Sequence, residues 1–154
     1  MKIYKNQNGQ QLLLIYEIVT FEIDNMSYAT YNKRREYMKE YTVEFYATKD
    51  GREPAKEFIE SLDAKMIAKL LKIIELLEAN GPSLRIPYSE HLGDGIFEIR
   101  AKQGSDITRV LYFFVIGKKI VLTNGFVKKT QKTPKREIEK AKKFRSDYER
   151  RASI

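Results

Sequence analysis

The chain contains no cysteine and only one histidine, His91, among its 154 residues. The missing thiols exclude a disulfide framework, thiolate metal ligands and a cysteine nucleophile together. One imidazole cannot build a multi-histidine zinc site. A chain without cysteine fits a reducing compartment. Long apolar runs are lacking as well. The stretch LLLIYEIVTFEI (12–23) is broken by Glu17 and Glu22 and is too short to cross a bilayer. It also lacks the small-residue pattern that follows a signal-peptide core, so a cytoplasmic protein with no membrane partner is expected.

What is present sets a class. A hydrophobic fraction of 42% supplies a real core, and the length suits one compact domain better than two. Lys and Arg number 29 against 21 Asp and Glu, for a formal charge of +8. Such an excess favours polyanionic partners, RNA, DNA or an acidic protein, although solubility alone accounts for charge at this level.

Residues 1–37 differ from the rest. The apolar run is followed by NMSYATYNKRREY, which has neither helical nor strand period. Two readings compete: an N-terminal extension, partly ordered at best, or an extra strand or helix contributed by 12–23. From Met38 the pattern is regular. Tyr41–Tyr46 alternates as a strand. KDGREP (49–54) is a turn that places Pro54 at a helix start, and Ala55, Phe58, Ile59 and Leu62 follow at helical spacing. A second helix carries Ile67, Leu70, Leu71, Ile74, Leu76 and Leu77 and stops at Asn80-Gly81-Pro82.

A polar connector (83–95) leads to three β-type segments, IFEIRA (96–101), ITRVLYFFV (107–115) and KIVLTNGF (119–126), joined by the short links Gly104-Ser105 and Gly117-Lys118. Thr133-Pro134 reads as an N-cap and first-turn proline of a last helix to about Arg151, with Ile138, Ala141, Phe144 and Tyr148 inward. The order β-α-α-β-β-β-α predicts an α+β fold, an antiparallel-rich twisted sheet with the helices on one face.

This order, with the segments LGDGIFEIR (92–100), TRVLYFF (108–114) and GFVKKTQKTPKREIEKA (125–141), resembles the RelE/ParE toxin superfamily, and within it the phage-type HigB-like toxins. The resemblance covers about residues 38–150, which it marks as a RelE/HigB-like toxin domain over 38–154 with 1–37 outside it. It implies the toxin of a type II toxin–antitoxin pair: a metal-independent, ribosome-dependent endoribonuclease that enters the ribosomal A site and cuts mRNA, with no cofactor. It further implies a helix-turn-helix antitoxin of the HigA type, and operator DNA met only through the antitoxin complex. The ParE branch implies a different activity, inhibition of DNA gyrase without cleavage. A degenerate toxin kept only for antitoxin binding is a third reading.

Metal-free RNA cleavage uses the ribose 2′-hydroxyl as nucleophile on the adjacent phosphate. The protein must orient that attack, move protons and stabilise the phosphorane charge, work that Arg and Lys can do. Arg100 and Arg109 flank a short turn and should face each other across a hairpin, while Lys128 and Lys129 leave the last strand. The resemblance matches Arg109 to a family arginine implicated at the scissile phosphate, and Arg100, Lys128 and Lys129 to basic positions. Arg100 and Lys128 are equally explicable as solvated strand-end charges. His91 is a further candidate for proton transfer, though a loop histidine is commonly just polar surface. Phe126 is a candidate for stacking on a splayed base, or a core residue. Tyr112, of opposite strand parity to Arg109, reads as core. Lys132, Lys135, Arg136 and Lys143 lie in or before a basic last helix that suits RNA, or is simply a solvated face. The tyrosine that RelE carries near its C-terminus has no counterpart here, which leaves the general base unassigned.

Overall fold

Alternation from Tyr41 produces β1 (Thr42–Phe45), the first strand of a computed structural model that describes residues 39–129 and 132–153. The expectations for residues 1–37, and for a domain start at Met38, fall outside the described residues. Pro54 opens α1 (Pro54–Glu60), where its fixed φ suits the first turn and its missing N–H costs nothing. Asp63 caps α2 (Ala64–Asn80), its Oδ1 accepting from the backbone N–H groups of Lys65 and Met66 at 3.0 Å each. That helix ends at Gly81, whose φ of +49° favours glycine and whose missing Cβ leaves room for the Tyr41 ring. On α2, Met66, Ile67, Leu70, Ile73, Ile74 and Leu77 are buried, whereas Leu76 is exposed. Leu76 therefore does not join the core stripe read from the sequence.

Four more strands follow: β2 (Ser89–Gly93), β3 (Ile96–Gln103), β4 (Asp106–Val115) and β5 (Lys119–Val127), and then α3 (Lys135–Ala152). β2 lies inside the segment read as a polar connector. Its five residues, SEHLG, carry too few apolar groups to show a strand period, and only pairing with β3 makes them extended. The described order is thus β-α-α-β-β-β-β-α. The sheet runs β1-β5-β4-β3-β2, with β1 parallel to β5 and the other neighbours antiparallel.

Helices cover both faces of this sheet, not one. Phe58 of α1 packs on Gly125, the register partner of Val110, and Tyr41, against which α2 ends, meets Phe114 edge-on. Val110, Tyr112 and Phe114 alternate with Leu111 and Phe113. The latter two share a core with Tyr46, Ile96, Val121 and Ala141, against which Phe144 and Tyr148 of α3 pack. The continuous apolar run of β4 is the sequence signature of a strand buried on both sides. The far end of α3 is tied to β1: Tyr46 stacks on Phe144 at 4.5 Å between centroids and donates to Asp147 at 2.7 Å, and the Tyr148 hydroxyl donates to Glu44.

A β-bulge in β5 makes Thr123 the extra residue, since Leu122 pairs with Tyr112 while Asn124 pairs with Leu111. The bulge inverts the parity of β5. Beyond it Asn124 and Phe126 share the α3 face, and Gly125 turns towards Phe58.

Two predictions follow from this packing. A Cβ on Gly125 would lie 2.0 Å from a ring carbon of Phe58, so Gly125→Ala should destabilise the fold by about 1–3 kcal/mol in urea denaturation. Burial pushes the Tyr112 phenol up to about 12, against the opposing effect of its hydrogen bond with Ser89. Its folded pKa lies above the unfolded value near 10, so its share of stability is complete below pH 10 and lost as pH rises towards 12. Urea midpoints should decline over that window, and Tyr112→Phe should shrink the decline by roughly 2–3 kcal/mol. A residual slope should remain from Tyr148, also pushed up to about 12 by burial and Glu44.

Candidate functional site

The register of β3, β4 and β5 lines up two rows on the α3 face of the sheet: Glu98, Leu111 and Asn124, then Arg100, Arg109 and Phe126. α3 packs on the core around Leu111, and Phe126 of the outer row packs against that same core. In these rows Glu98 is 1% and Arg109 5% exposed, values that no unpaired charge tolerates. Glu98 Oε1 accepts from Arg109 Nε at 3.1 Å and lies 3.8 Å from Arg100 Nε. Its other oxygen, Oε2, accepts from the Thr133 hydroxyl at 2.5 Å. Arg109 Nη1 donates to the Thr108 carbonyl at 3.0 Å, so the guanidinium is held from two sides. Half-buried Arg100 turns towards Glu90, whose Oε2 it meets at 2.5 Å.

Lys128 completes the cluster. Its backbone N–H donates to the Ile107 carbonyl at 2.7 Å, extending the strand pairing past the end of β5. Burial pushes its amine below the usual lysine range, and the Arg109 charge pushes the same way, while Glu98 pulls back. Burial likewise lowers Arg109, opposed first by Glu98, yet a guanidinium stays protonated at any physiological pH. Three cations thus converge around one buried carboxylate and the half-buried Glu90. Such an array suits an oxyanion better than an apolar ligand.

The matching family model decides the kinship. Phage derived protein Gp49-like (DUF891) matches residues 57–146, more than half of the chain and all of this cluster. The chain belongs to the Gp49-like family. This is a RelE/ParE-like toxin family of toxin–antitoxin systems, which implies an antitoxin partner. A search of curated proteins found no match.

The Gp49-like chain brings together some of the residues singled out in its sequence and not others. Arg100 pairs directly with Arg109, as their short connecting turn requires. Phe126 is the partner of Arg109 on β5 and packs against the core, which makes it part of the floor. Lys129 and Lys132 are exposed beside the cluster in sequence, and Lys135 and Arg136 are exposed on the first turn of α3. Lys143 lines a separate depression on α3 with Lys142, Ser146 and Asp147. His91 pairs with Phe97 and lies over its ring at 4.6 Å, on the face shared with Tyr112. The sheet therefore separates His91 from the arginine cluster. Tyr112 is core, as its parity requires.

Glu98 and Glu90 are not singled out by the sequence reading, and Thr133 only as a helix cap. A signal for Glu98 existed: Ile96, Glu98 and Arg100 share strand parity, which puts an acid between a core residue and a candidate cation. Thr133 was read as an N-cap, but the described helix has Pro134 at that position and no side-chain cap. Among the described residues, no three His, Asp or Glu side chains are grouped to hold a metal, and no helix is long and apolar enough to cross a membrane.

Energetics of the buried pair are testable without any activity. Arg109→Ala should cost about 3–5 kcal/mol in urea denaturation, because Glu98 stays buried without its cation. Replacing both partners, Glu98→Leu with Arg109→Met, should recover most of that loss. A double variant as unstable as Arg109→Ala would show that the pair is not the unit of stability.

Proposed function

We propose that this Gp49-like chain is a HigB-type toxin that cuts mRNA on the ribosome, without metal, and so stops translation. The observation that carries this reading is the convergence of Arg100, Arg109 and Lys128 at one end of one sheet face, with Arg109 fixed by a buried carboxylate. In this reading Arg109 is the floor and Arg100 the wall of a site for one backbone phosphate. The two guanidiniums take up the charge that develops on its equatorial oxygens.

The 2′-oxygen attacks phosphorus, the bond from phosphorus to the 5′-oxygen breaks, and the products are a 2′,3′-cyclic phosphate and a 5′-hydroxyl. The hydroxyl proton must leave as the new bond forms, and the departing 5′-oxygen must gain one. Lys128, whose amine is loosened by burial and by Arg109, is the side chain best suited to exchange a proton there. Exposed Lys129, with Lys132, Lys135 and Arg136, would meet ribosomal RNA phosphates in a salt-sensitive way. The partner implied is a HigA-like antitoxin, with operator DNA reached only through that complex.

In translation of a defined message with purified protein, primer extension should map discrete cuts in the reading frame that require ribosomes. Lys128→Met keeps the apolar stem and should lower the cleavage rate on the order of 100-fold. Arg109→Lys keeps the charge but loses the planar fork and should lower it comparably. An intact message with wild-type protein, together with loss of supercoiling in a gyrase assay, would replace this reading with a ParE-like one.

A further inference from the structure

Thr133 is where the chain departs from local rules. A threonine before a proline at a helix start ordinarily caps it. Here the hydroxyl turns away from the free N–H groups of α3 and donates to Glu98 Oε2 at 2.5 Å, on a carboxylate 1% exposed. The entry to α3 is held at a second point, where Asn124 Nδ2 donates to Glu137 Oε2 at 3.1 Å. Glu98 and Asn124 flank Leu111 in one register row, so helix and sheet are joined by polar contacts on both sides of that residue. Broken local rules concentrate where function demands them.

We propose that Thr133 is a positioning residue, whose hydroxyl fixes the plane of the Glu98 carboxylate so that Oε1 holds Arg109 Nε in the floor of the cationic cluster. The inference rests on the nuclease reading for its catalytic consequence. Without the hydroxyl, the carboxylate is anchored among the described residues through Oε1, by Arg109 at 3.1 Å and the longer 3.8 Å approach of Arg100. It can then rotate, and Arg109 follows it. A charge-assisted O–H···O⁻ bond is directional enough to prevent this. Phosphate contacts misplaced by about 1 Å cost on the order of 100-fold in rate. The effect should fall on the chemical step and not on ribosome binding, because among the described residues Thr133 is hydrogen-bonded to the cluster through Glu98.

The test compares wild type, Thr133→Val and Thr133→Ser in two measurements. The first needs no ribosome: solvent exchange of the Arg109 Nε–H proton, followed by NMR. Thr133→Val should speed exchange at least tenfold in a protein still folded by circular dichroism, and Thr133→Ser should match wild type. The second is mRNA cleavage, where Thr133→Val should lower kcat on the order of 10-fold to 100-fold with KM unchanged, and Thr133→Ser should restore it. Faster exchange with unchanged kcat overturns the role in catalysis, and a fall in kcat without faster exchange overturns the route through Glu98 and Arg109. A wild-type protein that cuts nothing overturns the nuclease reading alone, because the exchange measurement still decides whether Thr133 positions Arg109.

Discussion

Burying a carboxylate in the middle of a sheet face is costly by several kcal/mol, and Glu98 imposes that cost on everything around it. The compensation is specific. Arg109 must arrive across the β3–β4 pairing, Thr133 must arrive from the entry to α3, and Arg100 must lie close enough to share the charge. A slip of one residue in the hairpin would send Arg109 to the opposite face and leave Glu98 alone. The pair therefore links register to electrostatics. A core of leucines could tolerate an altered register that this acid cannot, so the ion pair selects one arrangement of strands even where it adds little net stability.

Much of the architecture was legible because it follows from period and punctuation. The helical spacing of Ala55 and Ile59, the stop at Asn80-Gly81-Pro82 and the three β-type segments from Ile96 all appear as structure in those places. β2 was not legible, because SEHLG is short and polar and takes its extended form from β3. Placement of the helices on the sheet also exceeds what order alone can give: the order suggests helices on one face, and they lie on both. In the site, the facing of Arg100 and Arg109 could be read from the length of the turn. Glu98 showed only its shared parity with Ile96 and Arg100, and Thr133 showed nothing, because local preference assigns a strand acid to solvent and a threonine before proline to a cap. Their roles arise from contacts across 35 residues of sequence, which no local pattern encodes.

The basic character of the chain needs the same care. On α3, Lys142 contacts Asp94 and Glu139, Arg145 approaches Glu149, and Arg150 and Arg151 both meet Asp147. Such exposed pairs contribute little to stability. They do lower the potential that the helix presents to a polyanion, so a count of basic residues overstates the phosphate-binding surface. What marks the cluster at β3–β5 is geometry: Arg109 held by a buried carboxylate, with Arg100 and Lys128 beside it. Membership in the Gp49-like family, which the family match carries through all of these strands, gives that geometry its toxin context.

The bulge at Thr123 divides β5 into two segments with independent facing. Residues before it answer to the hydrophobic packing on both faces, Val121 on the α3 side among them, whereas those after it, Asn124 and Phe126, answer to the cluster and to the entry of α3. One strand therefore serves two masters without compromise between them. Substitutions in Ile120–Leu122 are free to drift with the core, and the outer half keeps its aim because the change of phase is built into the backbone, not into any side chain. Flattening the bulge with Thr123 kept would pair Thr123 with Leu111 and reverse every side chain beyond it, turning the outer half of the strand inside out while leaving composition, charge and hydrophobicity untouched.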